Sequence, residues 1–100
     1  MLIDPAKEIL SLPKLKLAVI GHVEWVTFLE VDQLPLAGHI SHAKNSFEEA
    51  AGGAAVAAVQ MARLINGPVD LVTSLGNDNY GKKCYERLTK LGLNLKVAWR

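Results

Sequence analysis

Gly76-Asn77-Asp78-Asn79-Tyr80-Gly81-Lys82-Lys83 comes within one residue of the phosphate-binding loop G-x-x-x-x-G-K-[ST]. That loop works because its backbone N–H groups wrap the phosphates, its Lys meets the terminal ones and its hydroxyl holds Mg²⁺. Here Lys83 stands where the hydroxyl belongs, and Asp78 puts a negative charge among the amides. A strand-to-helix turn with a helix cap is the expected reading, and a nucleotide loop the competing one. Gly52-Gly53 opens a second candidate site. Two glycines entering a helix let a ligand approach the backbone, and the helix N-terminus offers free N–H donors. Tight helix–strand packing would use the same glycines. His22, His39 and His42 lack metal-ligand spacing; in an extended ribbon, residues three apart point to opposite faces. Glu48 and Glu49 read as solvated carboxylates rather than an acid–base pair. Cys84 reads as a core residue rather than a nucleophile.

The elements that must position these residues follow from pattern. Asp4, Pro5 and Pro13 predict a short helix over residues 4–12. Leu17-Ala18-Val19-Ile20 is apolar without alternation and ends at Gly21, as a strand buried on both faces would. Residues 23–31 alternate as a half-buried strand. A weaker extended stretch over about 39–47 follows, so the two predict an antiparallel ribbon. Ala54 to Ile65 is a helix, apolar nearly all round and therefore expected to be largely buried. Asn66-Gly67-Pro68 stops it, with Gly67 expected in the left-handed turn. Val69–Leu75 is a strand. A helix from about Tyr80 to Leu91 carries Cys84, Tyr85, Leu88 and Leu91 inward and Lys83, Arg87 and Lys90 outward. Leu93, Leu95, Val97 and Trp99 alternate along a last strand. Strand, ribbon, helix, strand, helix, strand implies an α/β fold with right-handed parallel crossovers.

Composition agrees with a folded domain. The 100 residues are 50% hydrophobic and 21% charged, with a net charge of +1. This excludes a disordered polar tail and gives no overall pull toward nucleic acid or an anionic membrane. The charge is uneven. Residues 1–81 carry five basic and nine acidic side chains, and residues 82–100 six basic against Glu86 alone. That basic end is expected to be a solvated helix face. One cysteine allows no internal disulfide, and no signal-peptide core or spanning run is present, so a soluble cytoplasmic protein is expected.

Together the segments resemble the ribokinase/PfkB family of carbohydrate kinases. The matching pieces are Leu17–Gly21, the ribbon to about Phe47, Gly52-Gly53 with its Ala-rich helix, and Gly76-x-Asp78-x-x-Gly81, in the order of the family's first third. The resemblance covers about residues 15–100, with residues 1–14 an N-terminal extension. It implies an α/β, ribokinase-like three-layer core, partial here, with a small antiparallel β-lid at about 23–47. Family members transfer the γ-phosphoryl of Mg-ATP to a sugar or nucleoside hydroxyl, with the sugar held between lid and core. Carried over, Gly52 and Gly53 would border the sugar, and Asp78 and Gly81 would shape the adjoining turn.

The family's Asn three residues after the second glycine is Val56 here. Its Asp or Asn past the first strand lies where Glu24 and Val26 stand, which makes Glu24 the candidate substitute. The family's Gly-Ala-Gly-Asp segment, with the catalytic base, and its ATP pocket lie in a later part. No catalytic or metal-binding residue is therefore expected in residues 1–100. ATP and Mg²⁺ are implied for the complete family protein and not for this chain alone. The expected partners are a sugar-like small molecule and, through the lid ribbon, a second copy; no nucleic acid or membrane is expected. The alternative is a non-catalytic sugar-binding or dimerisation module.

Overall fold

The computed structural model describes residues 15–100. The helix expected over 4–12 lies outside them. The elements are β1 (Leu17–Ile20), β2 (Glu24–Val31), β3 (Ala43–Ala51), α1 (Gly53–Ile65), β4 (Val69–Leu75), α2 (Asn79–Lys90) and β5 (Leu93–Trp99).

β1, β4 and β5 form a parallel sheet in that order, with Val69 set between Leu17 and Leu93. Each crossover adds its strand on the same side, so right-handed connections put both helices on one face. That face is the core. Val69, Leu71 and Leu75 of β4 meet Ala54, Ala55 and Ala58 of α1 and Cys84 and Leu88 of α2. The other face is open among the described residues. Ile20 is 80% exposed, and Asn94 donates to Asp70 across the strands.

β2 and β3 pair antiparallel from Glu24–Ala51 to Val31–Ala43, with a register shift between Glu30 and Val31. The second strand runs Ala43–Ala51 instead of 39–47. Small Ala50 pairs with Trp25 where both pack on the core, and this rung holds the register at the ribbon's root. His39 and His42 consequently lie in the connection, and Leu36 accepts the His39 N–H at 3.0 Å.

α1 is not buried all round. It sets a strip of alanines on the sheet, while Val56, Met61 and Leu64 stay exposed, because no second layer covers the outer side among the described residues. Asn66, at φ 49°, takes the left-handed cap in place of Gly67. Asn tolerates that conformation better than other side chains. α2 begins at Asn79, and Tyr85 leaves the expected inner stripe to lie 5.6 Å from the Trp99 ring. No helix among the described residues is long and apolar enough to cross a membrane.

Candidate functional site

A right-handed crossover returns the start of α1 to the C-terminal end of β1, and there the glycine pair meets the ribbon's root. Gly52 has φ 94° and ψ 152°. A Cβ on it would sit 2.9 Å from the His22 carbonyl oxygen, 3.0 Å from the Glu24 nitrogen and 3.1 Å from the Val23 Cα. Glycine is therefore required at 52 by backbone conformation and by the chain crossing beside it. Gly53 is different. A Cβ there would meet only the His22 imidazole, at 3.4 Å. Its N–H donates to His22 Nε2 at 3.3 Å, and Glu24 Oε1 lies 3.6 Å from the same nitrogen.

His22, Glu24, Gly52 and Gly53 thus share one exposed corner. Here the Gly53 N–H is engaged by the imidazole, and the imidazole and the Glu24 carboxylate stand exposed beside it, groups that exchange hydrogen bonds with hydroxyls. His22 was not foreseen at this corner. Its signal was its position directly after the strand-ending Gly21, opposite the returning helix.

Asp78 and Gly81 form a second cluster after β4, and no hydrogen bond joins it to the first. Asp78 caps α2: its Oδ1 accepts the Gly81 N–H at 2.8 Å. Gly81 packs directly on the Gly76 backbone. Three of the amides that would wrap a phosphate are already committed. Gly81 N–H goes to Asp78 Oδ1, Lys82 N–H to the Asp78 carbonyl and Asn77 N–H to the Arg100 carbonyl. The segment is a capped turn. Lys82 is exposed, and Lys82→Ala is expected to change stability by no more than about 0.5 kcal/mol. Chemical denaturation reads this, and a nucleotide that stabilises the native protein but not the variant would contradict it.

The expectation that Glu48 and Glu49 are merely solvated needs correction, as does the solvated outer stripe of α2. Arg87 forks onto Glu49, with Nε and a terminal nitrogen each donating at 2.8 Å. Lys83 Nζ lies 4.0 Å from Glu48 and sits over the Trp25 and Tyr80 rings, at 5.7 and 5.6 Å from their centres. The Arg87 hydrogen bonds hold the Glu49 carboxyl below the usual carboxylate range, against partial burial that pushes it up. The stabilisation from this lowered pKa is present above the ordinary carboxylate pKa and is lost as pH falls through the lowered one. Arg87→Gln is expected to move the Glu49 titration midpoint upward, as read by carboxyl-carbon NMR. An unmoved midpoint would show that the fork does not set it.

Burial pushes the Cys84 thiol up, which suits a core residue and not a nucleophile. Among the described residues no three His, Cys, Asp or Glu side chains gather as a metal site would require. An open groove of about 420 Å³, lined by Asn77, Lys82, Tyr85, Glu86 and Trp99, lies beside the end of β5.

A parallel β1-β4-β5 sheet with both helices on one face, and a β-ribbon inserted after β1 and rooted at a glycine pair, defines a ribokinase-like α/β protein. The chain belongs to the PfkB family: the family described as pfkB family carbohydrate kinase matches residues 14–98. Among solved structures, a ribokinase from Thermotoga maritima is 27% identical with a TM-score of 0.72, over 85% of this chain and 29% of its own. A ribokinase from Giardia lamblia, 17% identical, reaches 0.76 over 88% of this chain and 27% of its own. A fructokinase from Xylella fastidiosa with bound ATP, 24% identical, reaches 0.63 over 89% and 26%. The chain thus spans a little over a quarter of the length of the solved structures it matches. No curated protein sequence matches it.

The family implies ATP and Mg²⁺. In the turn with phosphate-loop spacing, the Asn77, Gly81 and Lys82 amides are bonded within the protein and Asp78 stands among them, which does not fit a phosphate there.

Proposed function

We propose that residues 15–100 are the sugar-side, N-terminal portion of an ATP-dependent carbohydrate kinase. A sugar-like hydroxyl compound lies between the β2–β3 lid and the Gly52-Gly53 corner. Glu24 and His22 meet its hydroxyls, Gly52 and Gly53 border it, and the Asp78–Gly81 turn shapes the neighbouring wall. The observation that carries this reading is the exposed set of donors and acceptors at the start of α1, in a chain of this family. These residues bind and orient. The base and the ATP pocket belong to the family's later part, and nothing in residues 15–100 replaces them. The reading includes a cytoplasmic location, in keeping with the single buried cysteine.

A second copy is the proposed macromolecular partner, through the lid. Phe28 and Phe47 stack at 4.8 Å with 10° between their planes, yet are 43% and 63% exposed. An aromatic pair left that open is a natural contact surface. If the lid and glycine pair act without the rest of a kinase, the chain is a sugar-binding or dimerisation module.

Incubation with Mg-ATP and a panel of sugars and nucleosides tests the division of labour. The expected result is no turnover above background ATP hydrolysis. Turnover that survives repurification would show that this chain holds a complete catalytic site.

A further inference from the structure

The ribbon leaves the body through two backbone strands only, residues 21–23 on one side and Gly52 on the other. Its first rungs are not alike. Trp25–Ala50 packs on the core. The next two, Val26–Glu49 and Thr27–Glu48, carry the carboxylate onto which Arg87 forks and the one that lies 4.0 Å from Lys83 Nζ. From the following rung, Phe28–Phe47, the ribbon stands in solvent. The basic pair is thus placed where the ribbon departs from the body.

Neighbouring residues on a strand point to opposite faces, so Glu48 and Glu49 start on different sides of β3. One helix reaches both, through residues four apart on α2. Gripping both sides resists a swing of the ribbon and a twist about its axis. The helix that grips is itself fixed. Cys84 and Leu88 are buried in the core, and the Asp78 cap closes its N-terminus.

We propose that Arg87, supported by Lys83, is a latch that sets the angle of the β2–β3 ribbon over the C-terminal end of the sheet. Arg87 is then a positioning residue for the ribbon. The fork is bidentate, which a lysine cannot reproduce. Exposed ion pairs are individually weak and are screened by salt, with a Debye length of about 10 Å at 0.1 M. A weak, screened latch biases the angle without locking it, as a lid that must open requires. The consequence for a bound sugar rests on the proposed function; the latch itself does not.

Electron–electron distance measurement on the whole chain, with nitroxides at Ser46→Cys on the ribbon and Gln60→Cys on α1, reads the angle directly. Cys84, buried at 3% exposure with its thiol pushed up, stays unlabelled. At low salt, with the labelled chain diluted into an excess of unlabelled chain so that distances between copies drop out, the native chain should give one narrow distance distribution. Arg87→Gln and Glu49→Gln should each lose it to a broad or shifted one. High salt should broaden the native chain and leave the variants unchanged. The exchanged pair, Glu49→Arg with Arg87→Glu, should recover the narrow distribution. An unchanged narrow distribution in either single variant, or in the native chain at high salt, overturns the latch. If Arg87→Gln does not fold, Glu49→Gln and the salt series decide. No sugar is present, so failure here is separate from failure of the sugar site.

Discussion

Gly81→Ala is expected to destabilise the protein by about 3 kcal/mol or more, or to prevent folding, although alanine is the better helix former. The methyl would overlap the Gly76 carbonyl. Neither side can yield. Gly76 follows the end of β4, where Arg100 N–H bonds the Leu75 carbonyl at 2.9 Å and Asn77 N–H bonds the Arg100 carbonyl. Gly81 is tied to Asp78. Overpacking against flexible side chains is often relieved, but here the obstacle is backbone. Gly53→Ala is the control. Its methyl meets one exposed imidazole at ordinary contact distance, and a change within about 1 kcal/mol is expected. Urea unfolding of the two variants reads the difference. A Gly81→Ala protein as stable as the native one would refute the close-packed turn.

The second large effect is association. The 100-residue chain is expected to be dimeric, aggregated or only marginally folded at micromolar concentration. Among the described residues the sheet has free edges at β1 and β5, and its second face leaves Ile20 80% exposed. The outer side of α1 shows Val56, Met61 and Leu64, and the ribbon connection shows Leu34, Leu36 and Ile40. Unpaired edges and contiguous apolar surface drive self-association. Light scattering over a concentration series, with thermal melts, measures it. A monomer with a cooperative melt independent of concentration would mean that these residues close their own core.

The sequence carried the places of the parallel strands well but not their burial: β1 is apolar throughout and was expected to be covered on both faces, whereas Ala18 and Ile20 stand exposed on the open side of the sheet, because no layer covers that side among the described residues. The capped start of α2 and its end near Leu91 were legible for local reasons: capping chemistry spans three or four residues. The ribbon's second strand was not. Its register is held by Ala50 against Trp25, a contact across twenty-five positions that no local pattern records. The outer face of α1 was misjudged for the opposite reason. Apolar residues state that a surface wants cover, not that the cover is present. Of the candidate site, the glycine pair could be seen, but not that Gly52 serves the backbone while Gly53 stays free. That division depends on φ and on residues 22–24 crossing alongside. The Arg87–Glu49 fork joins positions far apart and was invisible until the fold placed α2 beside the ribbon.

The central claim is that the Gly52-Gly53 corner, under the ribbon, receives a sugar. Amide-resolved ¹H–¹⁵N NMR titration of the folded chain with ribose and with fructose tests it most directly, since the solved structures it matches include ribokinases and fructokinases. The account predicts saturable shifts centred on Gly52, Gly53, His22 and Glu24. Gly53→Val, with its fold checked by a thermal melt, should weaken binding at least about tenfold, or about 1.4 kcal/mol. A folded chain that shows no saturable shift with either sugar, or shifts confined to the groove of Lys82, Tyr85 and Trp99, would contradict it.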